Sequence, residues 1–393
     1  MAKLNEQEKN EMIGKALVDK YVIKSWWRDG GLSSIFNVES LNEDNVSLKN
    51  ENGDVDKIVK IVRLEDQSDS SNNQKAFDEL KLFQNHAYND RHIVNIFDYY
   101  VDDKYLYLVI EKIEGESLDD QLQRGKIFTV EETVLLMSQL VRALKLMHTA
   151  YGQHPMIHRD IKPQNLIVDS KLKLTLIDFG ISTMYDDVRP LTEEADIFCS
   201  PQYTSCDLLK LNSNIRVGVA KGDQEEMKRF KEIVTTQLDI HPVGVIMYQM
   251  LTGQLPFDGL AKSQLSDMKK IELWKTKDVP IISSWRGDVP ITIDNIIYRC
   301  TASQEGNKQY RYKNAEELEA DLRTCLQEDV IKNAKLICPP QQRNFENCER
   351  DIEPLKEIKK SKFFNRKSII TSSVILIVLS ILAVVLSIVY ATH

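Results

Sequence analysis

His158-Arg159-Asp160-Ile161-Lys162-Pro163-Gln164-Asn165 is followed, after a short interval, by Asp178-Phe179-Gly180. Between the two lie Leu166-Ile167-Val168 and Leu172-Lys173-Leu174-Thr175-Leu176-Ile177, apolar-alternating pieces that predict a small hairpin. A hairpin there brings Asp160, Asn165 and Asp178 to one end of a rigid element. That set suits phosphoryl transfer from a nucleotide. One carboxylate orients the attacking hydroxyl, while a second carboxylate and an amide oxygen hold a magnesium ion against the phosphates. Lys162, two residues after Asp160, places a positive charge near the transferred group.

These residues resemble the catalytic loop and metal-binding motif of the eukaryotic-type (Hanks-type) serine/threonine protein kinases. Lys162-Pro163 is similar to the serine/threonine branch rather than the tyrosine one. A lone His-Arg-Asp is weak; two motifs in this order and at this separation are specific. The resemblance covers about residues 20–327 and implies an α+β, bilobal protein-kinase-like fold. Its N-lobe, an antiparallel β-sheet with one helix, is expected over about 21–111, and its mainly helical C-lobe over about 114–327. It implies ATP bound with Mg²⁺ or Mn²⁺, and Ser/Thr hydroxyls of proteins as acceptors. Asp160 then orients the hydroxyl and takes its proton, and Lys162 stabilises the moving phosphoryl group. Asn165 and Asp178 hold the metal.

Residues 1–20 read as a helical or loosely ordered lead-in. Arg28-Asp29-Gly30-Gly31-Leu32-Ser33 falls where the resemblance places a glycine-rich phosphate loop. Gly30 matches the middle glycine, and Arg28 and Ser33 replace the first and third. Gly30 and Gly31 remain as candidates for close backbone approach to phosphates. The strand Lys57-Ile58-Val59-Lys60-Ile61-Val62 offers a lysine for the α- and β-phosphates, with Lys60 the better fit and Lys57 the fallback. Ala76 to Phe83 has helical spacing, and Glu79 is the expected partner of Lys60. His92 to Ile96 reads as the start of one strand, and Leu106 to Ile113 as another that enters a hinge. There Ile110 is the gatekeeper, and the backbone of Glu111 to Ile113 is expected to hold the adenine.

Val134, Leu135, Met137, Leu140, Val141, Leu144 and Met147 keep helical period over 131–148. After Asp178-Phe179-Gly180 a polar activation segment runs to Cys199-Ser200-Pro201-Gln202, with Gln202 where the family has glutamate and Arg311 as the expected partner. Ala195 stands where such kinases carry threonine, and Thr192 is the alternative. Arg159 is the residue type that binds a phosphorylated activation segment, for which Ser182, Thr183 and Thr192 are candidates. Residues 207–236 exceed the family pattern and read as a solvated insertion, helical over Gln224 to Ile233. Asp239 to Val245 resembles the start of a helix whose aspartate braces the catalytic loop.

The chain has 393 residues and a net charge of −8, which gives no support to nucleic-acid binding. Its six cysteines are scattered without metal-ligand spacing and suit a reducing compartment. No secretory signal opens the chain. A linker over 328–367 ends in Lys359, Lys360, Lys362, Arg366 and Lys367, and precedes an uncharged stretch at 368–390. The roughly 22 uncharged residues from Ile369 to Tyr390 match the length of a membrane-spanning helix. The basic flank places the kinase domain on the cytoplasmic side, as a single-pass, C-terminally anchored protein. The span holds no glycine for close helix pairing, and the oligomeric state stays open. A tethered, non-enzymatic pseudokinase is favoured by Arg28, Ser33, Gln202 and Ala195, and opposed by the complete set Asp160, Lys162, Asn165 and Asp178. A small-molecule kinase would lack Lys162-Pro163.

Overall fold

Two stretches rich in β-branched and aromatic residues, Lys57–Arg63 and Tyr105–Glu111, form the middle of the first sheet. The computed structural model describes residues 3–30, 33–41, 57–63, 91–149, 156–178, 202–205, 222–256, 278–302 and 309–337. All belong to the unit Met1–Pro339; the unit Pro340–His393 lies outside them. The N-lobe contains α1 (Glu6–Met12), β1 (Ala16–Leu17), β2 (Tyr21–Asp29), β3 (Ser34–Ser40), β4 (Lys57–Arg63), β5 (Ile96–Val101) and β6 (Tyr105–Glu111). The strands lie in the order β1-β2-β3-β4-β6-β5, each pair antiparallel. Successive side chains of a strand take opposite faces. Tyr105, Tyr107 and Val109 of β6 therefore pack toward α1, whereas Leu106 and Leu108 join the large core shared with the C-lobe.

The segment read as a lead-in is part of this lobe. Asn5 and Glu8 close a capping box at the start of α1. Leu4, Met12 and Leu17 are buried with Phe36, Val59, Ile61 and Tyr107. Three apolar residues so widely spaced give no periodic signal, so only their distant partners reveal the packing. A second difference concerns His92 to Asn95, which does not begin the strand; β5 starts at Ile96. Instead Val94 donates its N–H to the Leu176 carbonyl at 3.0 Å and receives no ladder there, while Leu176 donates to the His92 carbonyl at 2.8 Å. Those backbone groups join the lobes rather than extend a strand.

The C-lobe contains β7 (Glu116–Ser117), α2 (Leu118–Gln123), α3 (Val130–Thr149), a single 3-10 turn (Pro163–Asn165), β8 (Leu166–Val168) and β9 (Leu174–Leu176). It continues with α4 (Gln224–Ile233), α5 (Gln237–Thr252), α6 (Ile291–Thr301), α7 (Ala315–Thr324) and α8 (Glu328–Asn333). The predicted hairpin is present, with Leu166 opposite Leu176, Ile167 opposite Thr175 and Val168 opposite Leu174. Thr129 and Glu132 form the reciprocal cap that starts α3, and Met137, Leu140, Val141 and Leu144 on its inner face are fully buried. α4 matches the helix expected inside the insertion. The insertion is not merely solvated, however: Phe230, Ile233 and Val234 pack against Leu238, as does Ile157, the neighbour of His158.

α5 is apolar on nearly every side and runs through the C-lobe core. It packs closely on α6 at Gly244. A Cβ at that position would lie 2.5 Å from Cys300 Cβ, 2.9 Å from Thr301 Cγ2 and 3.0 Å from the Ile297 carbonyl oxygen. Gly244→Ala gains up to ~1 kcal/mol of helix propensity, but forcing two helices apart costs about 1–3 kcal/mol. Overpacking wins, so a denaturant titration is expected to show a less stable variant. An unchanged midpoint would mean that the helices can separate freely. Among the described residues no helix is long and apolar enough to cross a membrane. The expected span at 368–390 lies outside those residues, as do Gly31, Glu79, Phe179 to Pro201 and residues 206–221 of the insertion.

Candidate active site

The catalytic loop is held from beneath by one carboxylate. Asp239, in the first turn of α5, is completely buried. It accepts the backbone N–H of His158 at 2.8 Å and of Arg159 at 2.7 Å. It also takes the ring Nε2 of His148, at the end of α3, at 2.9 Å. Arg159 sits in the left-handed region at φ 65°, a conformation that costs an L-residue about 1–2 kcal/mol and persists where its surroundings fix it. Burial would push the Asp239 carboxyl up, but His148, His158 and the N–H donors hold it below the ordinary carboxylate range. Burial lowers the pKa of His158, whose Nδ1 accepts the Asp160 N–H at 3.3 Å.

Above this brace the polar side chains meet. Lys162 Nζ lies 2.6 Å from Asp160 Oδ2. Asn165 donates its Nδ2 to the Asp160 carbonyl at 2.9 Å and, at 3.3 Å, to Asp160 Oδ2. The Ile177 N–H donates to the Asn165 carbonyl at 2.9 Å, fixing the loop to the residue before Asp178. Asp178 is itself left-handed, at φ 64°, and pairs with Lys60 from the N-lobe. Desolvation would raise the Asp178 carboxyl; the Lys60 ammonium beside it keeps it below the usual range, with smaller help from His158 and Lys162. The hairpin thus connects two side-chain groups, Lys162–Asp160–Asn165 and Lys60–Asp178, through the Ile177–Asn165 backbone bond.

The two lysine candidates separate cleanly. They lie three apart on β4 and so take opposite faces of the sheet. Lys57 faces the α1 side, where its Nζ donates to Ser40 Oγ at 3.0 Å over the rings of Phe97 and Tyr21, 5.0 and 5.5 Å away. Lys60 faces Asp178. At the hinge, the Glu111 N–H is already donated to the Asn95 carbonyl at 2.9 Å, so Glu111 can offer a base only its carbonyl. Ile113 follows, partly buried against the large core. Gly30 donates its N–H to the Ser33 carbonyl at 2.8 Å, and a Cβ on Gly30 would meet Ser33 Oγ at 2.7 Å. Gln202 is exposed, while Arg311 is half-buried and gives its Nε to the Ala302 carbonyl.

An amide and a carboxylate are hard-oxygen ligands of the kind Mg²⁺ takes. With Asn165 Nδ2 committed to Asp160, Oδ1 is the amide atom of the type a metal takes as ligand. Among the described residues no group of three or more His, Cys, Asp or Glu side chains could hold an ion without help. Two features escaped the sequence reading. His148 reads as one more residue at the end of a periodic helix, and its only signal is a histidine on the apolar side of α3. Trp27 lies between Arg28 and Lys112, 4.4 and 5.1 Å from its ring, and so joins β2 to the hinge.

A family model described as the protein kinase domain matches residues 46–332. Over 395 residues the chain is 27% identical to a protein of Mycoplasma pneumoniae named as a candidate serine/threonine-protein kinase, covering 96% of each. A protein of Mycoplasma genitalium with the same name is 26% identical over 397 residues, 96% of this chain and 97% of that one. The serine/threonine-protein kinase PrkC of Bacillus subtilis is 25% identical over 324 residues, 82% of this chain and 43% of that protein. The bilobal architecture agrees with these likenesses, and members of the family use ATP with a divalent metal. The chain belongs to the protein kinase domain family and is a protein-serine/threonine kinase.

Proposed function

We propose that this kinase phosphorylates itself and other proteins on Ser/Thr hydroxyls while tethered to a membrane through residues 368–390, with its catalytic domain in the cytoplasm. The two linked groups, Lys60–Asp178 and Lys162–Asp160–Asn165, carry the catalytic part of this reading. Lys60 and Glu79 position the α- and β-phosphates; Asp178 and Asn165 hold the metal. The metal, Mg²⁺ or Mn²⁺, supplies charge neutralisation across the phosphates. Asp160 orients the acceptor hydroxyl and takes its proton late, and Lys162 offsets charge on the moving phosphoryl group. The backbone at Gly30 and Gly31 approaches the phosphates, and the hinge at Glu111 and Ile113 holds the adenine. Positioning and charge stabilisation account for most of such catalysis. The uncharged run at 368–390 behind a basic cluster supports the tether.

The test is transfer of labelled γ-phosphate from ATP–Mg²⁺ by the full chain in detergent or lipid, to itself and to a generic acceptor protein. Label on serine and threonine is expected, and Lys60→Met is expected to abolish it. ATP binding without any transfer would turn the reading to a tethered nucleotide sensor. The same preparations report on the tether, since removal of 368–390 is expected to release the protein from membranes. Membrane association that survives this deletion overturns that part.

A further inference from the structure

The turn between β2 and β3 has two non-glycine residues, Arg28 and Ser33, at positions where the resemblance leads one to expect glycine. It is nevertheless held from outside by the segment preceding the sheet. Lys9 of α1 has a side chain only 9% exposed, and its Nζ lies 2.9 Å from Glu6 Oε1 and 3.0 Å from Asp29 Oδ2. The ring of Trp26 covers the ammonium at 4.6 Å. Asp29 and Trp26 both belong to β2, so the strand leading into the turn wraps around one cation of α1. Ser34, on the far side of the turn, donates its Oγ to Asp29 at 2.8 Å and accepts the Leu4 N–H at 3.3 Å. Both arms of the turn are therefore fastened to residues 4–9.

The other side of the same helix is anchored to the strand that carries Lys60. Glu8 pairs with Arg63 of β4 and accepts the Tyr105 hydroxyl at 3.0 Å. Leu4 and Met12 are buried beneath it. α1 thus connects the turn with β4 by a route that bypasses the turn's own backbone. A shielded ammonium is retained only where its partners compensate for lost water, and here they are Glu6 of the same helix together with Asp29 and Trp26 of the strand that leads into the turn.

We infer that Lys9 is a positioning residue for the nucleotide, holding through Asp29 the β2–β3 turn at the place where its backbone meets the phosphates. This rests on the turn facing the phosphates, as the proposed function has it. A merely structural role would make Lys9 important for stability alone. The two differ in what they do to ATP relative to adenosine, which lacks phosphates and depends on the hinge.

The experiment measures Kd for ATP–Mg²⁺ and for adenosine by calorimetry on the full chain. Wild type is compared with Lys9→Met, Lys9→Arg and Met12→Ala, the last a packing variant of the same helix. Lys9→Met is expected to weaken ATP roughly three- to tenfold while adenosine changes by less than about twofold. Lys9→Arg is expected to restore most of the ATP affinity, and Met12→Ala to lower the melting temperature without changing the ratio of the two affinities. The inference is overturned if Lys9→Met leaves that ratio unchanged, or if Met12→Ala alters it equally. A wild-type protein that binds ATP no better than adenosine overturns it too, while leaving phosphate transfer to be judged by the label assay. A wild-type protein that binds neither sinks the proposed function along with it.

Discussion

Asp160→Asn is expected to lower phosphate transfer by about 10²–10⁴-fold while ATP still binds. The substitution is nearly isosteric, and its backbone neighbours are fixed independently: Asp239 holds the two preceding N–H groups, and Asn165 bonds the residue-160 carbonyl. What disappears is the charge beside Lys162 and the ability to take a proton. The Asp160 side chain is 22% exposed and Lys162 24%, so a pair so close to water contributes at most about 1 kcal/mol of stability. The melting curve should accordingly change little. Steady-state transfer measured beside a nucleotide titration checks this. Loss of ATP binding together with turnover would mean that residue 160 serves the fold of the cleft, and would falsify its role as the group that orients the acceptor.

Asp239→Asn is expected to damage the fold itself, by about 3–5 kcal/mol. An amide has one acceptor oxygen where the carboxylate serves three donors, two of them backbone N–H groups. One orientation or the other sets an NH₂ against an N–H, and a buried donor is left unmade. Either Arg159, at Oδ1, or His158, at Oδ2, would then lose the bond that fixes the catalytic-loop backbone, so transfer should fall as well. The wild-type pH dependence has a defined sign. His158 has a folded pKa below its ordinary 6.5, so stability is full above that value and declines as pH falls beneath it, because the unfolded chain takes the proton first. The depressed Asp239 carboxyl contributes stability that is present above its ordinary 3.8 and is lost as pH falls through its lower folded value. Urea unfolding at neutral pH and at successively lower pH is the measurement. A variant as stable as wild type at neutral pH would remove Asp239 from the account of the catalytic loop.

Where chemistry and periodicity are local, the sequence was readable. The loop from His158 to Asn165 and the hairpin after it are contiguous, so residue types and alternation point to one arrangement. α3 announces itself through a long 3.6-residue period, and α4 through a charged run opened by Asp223, whose side chain caps it. Elsewhere the deciding partner is distant. Every residue of β4 is buried or half-buried, so alternation could not rank Lys57 against Lys60; Asp178, 118 residues along the chain from Lys60, does. The packing of Leu4 and Met12 depends on Phe36 and Tyr107 in the same way. His148 and Asp239 are 91 residues apart, and nothing near His148 hints at the bond. Glu79, Gly31 and the activation-segment hydroxyls fall outside the described residues.

A fragment trimmed to residues 46–332, the span that matches the family, would begin after β3. With the strands in the order β1-β2-β3-β4-β6-β5, the cut removes three neighbouring strands from one side. β4 would become a bare edge, its partners from Val38 opposite Lys57 to Ser34 opposite Ile61 gone. Val59 and Ile61, fully buried in the whole chain, would lie along that edge with α1 missing above them. An apolar edge with unpaired N–H and C=O groups recruits other chains. The strands ahead of the family boundary therefore also act as a guard against aggregation, and trimming the kinase by its family limits would remove that guard.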